Sequence, residues 1–97
     1  MKRYMVSVEF PEEKSEVFMH LVPRHIAETE RLLRMGRLAS YSLNMDRTKA
    51  WLLFNGNSEG EVLGLLEGLT LYSYMRVQIE ELMVVKTTIL QQELIMN

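Results

Sequence analysis

The stretch Lys49-Ala-Trp-Leu-Leu-Phe-Asn55 constrains this chain more than any other. It is apolar at odd and even positions alike, so as a strand it has two greasy faces and belongs in the middle of a sheet. A chain of 97 residues has room for one domain and little with which to cover both faces. Folding alone, it hides roughly two-thirds of the surface its unfolded form exposes. Burial against a second copy is the expected remedy.

The rest of the chain supplies the layers. Tyr4, Val6, Val8 and Phe10 alternate with Arg3, Met5, Ser7 and Glu9, a period of two that predicts a strand over 3–10. Pro11 ends it. From about Glu12 to Met35 the period becomes helical: with Phe18 at zero and about 100° per residue, Leu21, Val22, His25, Ile26, Thr29, Leu32 and Leu33 share one broad face. Glu30 and Arg34 are spaced as an i,i+4 ion pair. Pro23 has no N–H to give, so a kink or a restart is expected there. Gly36 is placed to stop the helix.

Residues 37–45 and 49–55 predict two strands joined by a tight turn at Asp46-Arg47. Ser58 and Glu61 have the spacing of a capping box, opening a short helix to about Gly68. After the connection Leu69–Tyr74, Met75, Val77 and Ile79 alternate with Arg76, Gln78 and Glu80, a last strand expected to run to about Thr87. Strand, helix, strand, strand, helix, strand is the ferredoxin-like βαββαβ arrangement: an α+β fold with a four-stranded antiparallel sheet and two helices on one face. A second subunit over the other face makes a dimeric α+β barrel. The domain is expected over 1–87, and the apolar tail 88–97 to pack on a neighbouring subunit.

Composition excludes several function classes. There is no cysteine, so disulfides, thiolate catalysis and cysteine-held metals are out, and a reducing cytoplasm fits. Hydrophobic residues at 47% and charged ones at 25% are too apolar a mix for disorder. A net charge of -2 with both signs dispersed is not the basic stripe of a nucleic-acid binder. The N-terminal alternation lacks the apolar run of a signal peptide, and no stretch is long enough to span a membrane. No glycine-rich phosphate loop and no nucleophile elbow is present.

Several segments taken together resemble the muconolactone isomerase family: Val6-Ser-Val-Glu-Phe-Pro11, Gly36 closing a long helix, the hairpin 37–55, Ser58 opening a short helix, and Leu69-Thr-Leu-Tyr-Ser-Tyr-Met75. The similarity covers about residues 4–82. Thr70 and Ser73 stand where that family has prolines, and Pro23-Arg24-His25 replaces an acidic, lysine-rich helix centre. The resemblance implies a cofactor-independent isomerase that moves a proton on a small lactone or carboxylic acid, in a homodimer or larger homo-oligomer.

His25 is the expected proton-transfer residue, because a neutral imidazole on an apolar helix face suits proton movement near neutral pH. The alternative is a core histidine satisfied by a carbonyl or a tyrosine hydroxyl. His20, five residues away, points about 140° from it, so the two do not share a metal, and no metal site is expected. Thr29, Tyr41 and Tyr74 are candidate pocket hydroxyls, with Tyr72 a further one. Arg24, Arg37 and Arg76 are candidate carboxylate anchors, or else ion-pair partners at the surface. Glu9 and Glu80 are rim charges or bases of raised pKa. Two further readings stay open: a non-catalytic ligand-binding or scaffold module of the same fold, and a monooxygenase on the same barrel.

Overall fold

A computed structural model of the chain describes residues 1–87. The elements are β1 (Lys2–Glu9), α1 (Glu16–Arg34), β2 (Leu38–Leu43), β3 (Lys49–Gly56), α2 (Glu59–Glu67), a 3₁₀ turn (Tyr72–Tyr74) and β4 (Arg76–Leu82). The strands form one antiparallel sheet in the order β2-β3-β1-β4, which is the ferredoxin-like βαββαβ fold. The expected tail 88–97 lies outside the described residues.

β1 and β3 pair without a break, from Lys2 opposite Gly56 to Glu9 opposite Lys49. Alternation then sends Tyr4, Val6 and Val8 to the same face as Ala50, Leu52 and Phe54, and all six are buried. Val62 and Leu66 from α2, with Phe18 from α1, close over this slab. Each large side chain so buried stabilises the fold by roughly 1.5–3 kcal/mol.

Local chemistry sets the ends of α1. The Ser15 hydroxyl accepts from the Phe18 N–H at 3.1 Å, which starts the helix at Glu16 rather than near Glu12. Glu16 in the first turn and Arg31 and Arg34 in the last complement the helix dipole. At the other end Gly36 donates to Leu33 and Arg37 to Leu32, a Schellman motif that needs Gly36 at its φ of +74°. The interruption expected at Pro23 does not divide the helix, which runs through it as one element. Pro23 denies a partner only to the carbonyl of Met19, and both residues are exposed to water. α2 is capped by the Ser58 hydroxyl, which accepts from Glu61 N–H at 3.1 Å; the Glu61 carboxylate reaches the N–H of Asn57, one residue earlier than a strict capping box requires.

β4 stops at Leu82, short of the expected Thr87. Its last pairing is Leu82 with Arg3, and β1 has almost no residues left to pair with. The β2–β3 turn is held tightly. Asn44 Oδ1 accepts from the N–H groups of Thr48 (3.0 Å) and Lys49 (2.9 Å), and Asp46 accepts from Thr48 N–H at 3.0 Å. Within it Arg47 adopts a left-handed φ of +63°.

Among the described residues no helix covers the sheet's other face. Met5 and Leu53 stand directly opposite one another there, while Trp51 lies between Ser7 and Ser42 and is 40% exposed. That face therefore has an apolar centre in a more polar surround than β3 alone predicts. Replacing Gly36 with alanine should cost about 1 kcal/mol, since a Cβ is disfavoured at positive φ. A urea titration should show this as a lower midpoint with an unchanged m-value; an unaltered midpoint would mean α1 does not end this way in solution.

Candidate functional site

Between α1 and the edge strand β2 lies a cleft of about 590 Å³. Its walls are mostly apolar, with Phe10, Phe18, Val22 and Leu71 prominent, and His25 and Tyr41 are its central polar groups. His25 projects from the middle of α1 and is only 4% exposed. Tyr41 faces it because β2 is irregular. Leu38 pairs with Phe54, but Ser40 pairs with Leu53 and Tyr41 with Leu52, a bulge that shifts the alternation by one residue. A regular strand would turn Ser40 and Ser42 towards the helix and Tyr41 away from it. The bulge brings Tyr41 Oη to 3.4 Å from His25 Nε2, with ring centroids 6.2 Å apart.

That contact is long, and His25 Nδ1 is buried with no hydrogen-bond partner. Either Tyr41 donates to Nε2, leaving an Nδ1–H unpaired, or Nε2–H donates to Tyr41, leaving an Nδ1 lone pair unpaired. An orphaned buried polar atom of this kind costs roughly 1–3 kcal/mol. Burial pushes the His25 pKa below its usual 6.5, and the more modest pull of the Glu28 charge does not reverse it. Burial also raises the Tyr41 hydroxyl. Both groups are held in their neutral forms at neutral pH, which suits the imidazole to accept a proton and the phenol to donate a hydrogen bond.

The remaining expected site residues are scattered. Thr29 lines the cleft and is buried, but its hydroxyl donates to the Ile26 carbonyl of its own helix at 2.9 Å. Tyr74 lies outside the cleft lining and meets Phe18 edge-on at 5.1 Å. Arg24 is exposed beside Glu28, its Nε 3.9 Å from the carboxylate. Arg76 pairs with Glu9 on the sheet face away from the helices, and Glu80 with Met5 on the same face. Arg37 bonds Glu61. His20 is exposed. The Glu30–Arg34 pair suggested by spacing is absent from the ion pairs of the described residues.

Four charged residues acquire roles that spacing did not predict. Lys14, Glu30 and Arg47 line the cleft. Glu28 accepts from the Thr70 N–H at 2.8 Å and the Thr70 hydroxyl at 2.7 Å, clasping the segment that carries Leu71 onto α1. Burial raises the Glu28 pKa, but the two Thr70 bonds, with smaller help from His25 and Arg24, bring it below its usual value. A pairing between residues 42 apart leaves no local trace in the sequence.

Among the described residues no group of three or more His, Asp or Glu side chains is arranged to hold a metal ion. No described helix is long and apolar enough to cross a membrane. No protein-family model matches the chain, and comparison with curated proteins gives no match.

His25 has a pH signature of defined sign. Its folded pKa is below the unfolded value, so the unfolded chain takes up the proton first as the solution is acidified. The stability held by neutral His25 is complete above pH 6.5 and is lost as pH falls from there towards the folded pKa. Urea unfolding from pH 7.5 to 5 should show this loss in the wild type and much less of it in His25→Gln. Identical pH slopes in the two proteins would contradict a neutral, buried imidazole.

Proposed function

We propose that the chain is a muconolactone isomerase-like, cofactor-independent isomerase that moves a proton on a small lactone or carboxylic acid bound between α1 and β2. The observation that carries this reading is the His25–Tyr41 pair in the wall of an apolar cleft, with Nδ1 of the imidazole lacking a partner. In the reaction, neutral His25 takes a proton from a carbon next to the ligand's carbonyl. The Tyr41 hydroxyl donates a hydrogen bond to the oxygen as negative charge gathers there. The imidazolium then returns the proton to the other end of the delocalised system, leaving the enzyme unchanged.

The family resemblance in 4–82 supports the reaction class, and the ferredoxin-like fold is compatible with it. One departure from the family has a structural use: a proline at position 70 would have no N–H to give, and Thr70 uses its own to clasp Glu28. In this reading the working unit is a cytoplasmic homodimer, a second copy covering the face of Met5 and Trp51 to make an α+β barrel. A non-catalytic ligand-binding module of the same fold is the second reading. Its support is the depth of His25, which a reactant must reach although only 4% of the residue is exposed.

The test begins with a thermal-shift screen of small lactones and aromatic or aliphatic acids. Hits are then incubated in heavy water and followed by proton NMR for deuterium entering beside the carbonyl. Exchange should fall about a hundredfold or more in His25→Ala, in line with the worth of a general base, and less in Tyr41→Phe. Unaltered exchange in His25→Ala removes His25 from the mechanism. Ligands that bind with no exchange in the wild type favour the second reading.

A further inference from the structure

The geometry points to Arg47, seconded by Lys14, as the anchor for the ligand's acid group, and to an elongated monocarboxylic acid as the ligand class. This rests on the reading of the cleft as a small-molecule site, but it does not need the chemical step.

The cleft carries charge only at its margins. Arg47 is its single arginine, and among the described residues it has no ion-pair partner. It is also the chain's one described non-glycine residue with a positive φ. A left-handed arginine costs free energy, and the turn is held by enough bonds to enforce it: Arg47 N–H donates to the Asn44 carbonyl at 3.1 Å, and the Asn44 and Asp46 side chains accept from the two residues that follow. A strained backbone on an over-determined turn, carrying an unpaired guanidinium into the lining of a cleft, is the arrangement expected of a preorganised anchor.

Lys14 marks the same end. Its ammonium lies 5.8 Å from the centre of the Phe18 ring and donates to the Pro11 carbonyl at 2.6 Å, and Phe10 at the end of β1 bonds the turn through Thr48. Glu30 marks the other end. Counting along α1 from Phe18, His25 is about 10 Å away and Glu30 about 18 Å away at 1.5 Å per residue. An acid group held by Lys14 beside Phe18 therefore lies about two helical turns short of His25, and a longer chain covers more of the apolar wall between them than a short acid does. A second carboxylate at the far end of the ligand would enter the apolar stretch of the cleft, where no further cation meets it and Glu30 lies beyond. The cleft thus selects a long acid over a short one, an acid over an alcohol, and a monoacid over a diacid.

Calorimetric titration of the full chain with octanoate, 1-octanol and suberate tests this, with propanoate as the short acid. Octanoate should bind most tightly of the four. Arg47→Asn keeps a residue that tolerates the left-handed backbone and removes only the cation. It should weaken octanoate about tenfold, the order of one charge-assisted pair, and leave octanol unchanged. Equal affinity for octanoate in wild type and Arg47→Asn overturns the assignment. So does octanol binding as tightly as octanoate, or no saturable binding of any of the four. Failure of the proposed isomerisation is read separately: Arg47-dependent binding without deuterium exchange sustains the anchor and removes the reaction, whereas His25-dependent exchange indifferent to Arg47 does the reverse.

Discussion

The uninterrupted pairing of β1 with β3 sets both faces of the sheet at once. Because side chains alternate, a register that turns Val6 and Leu52 to the helices turns Met5 and Leu53 the other way. A slip of one residue would exchange the two sets, putting Ser7 and Arg3 under the helices and Tyr4 outside. The helices depend on this slab, since Phe18, Val62 and Leu66 have no other surface to bury against. The cleft depends on it too, because one wall is α1 resting on that slab and the other is the strand that β3 carries at the edge.

The cleft is a consequence of how the margin of the sheet is built. α1 has 19 residues, while β2 has six and offers only Leu38, Tyr41 and Leu43 to the helix side. The gap between them stays open because no large side chain fills it, and the Glu28–Thr70 clasp holds Leu71 in its lining. Three of its polar groups enter this space through a local irregularity: Tyr41 through the bulge, Arg47 through a left-handed turn, and His25 with one nitrogen unmatched. Local rules of regular structure are broken where a function is proposed, and kept in the slab, where packing decides the outcome.

Those irregularities also mark what the sequence could and could not convey. The six elements and their order were legible, because a change of period from two to 3.6 is written in consecutive residues, as Tyr4–Phe10 and Phe18–Leu32 show. His25 was legible as a buried group on the apolar stripe of a helix. Tyr41 was one of several candidate hydroxyls beside Tyr74, and nothing in the sequence showed the bulge that favours it, which exists only as a mismatch between two paired strands. The arginines named from sequence, Arg24, Arg37 and Arg76, were chosen by type, while the one in the cleft lies in a turn whose φ no local pattern reveals. Glu28 looked like a helix-flank charge because its partner is 42 residues away. Strand ends were misjudged for a related reason: β4 has the pattern to continue, but its neighbour runs out.

The proposed assembly follows from the face that no described helix covers. Trp51 is 40% exposed there, on the same face as Met5 and the already buried Leu53. Sedimentation equilibrium of the full chain from about 1 to about 100 µM, over which mass action would reveal a weak association, measures this directly. The account predicts a species of at least twice the chain mass that persists at the lowest concentration. A single monomeric species across the whole range would contradict the barrel and leave the sheet's outer face without the partner assigned to it.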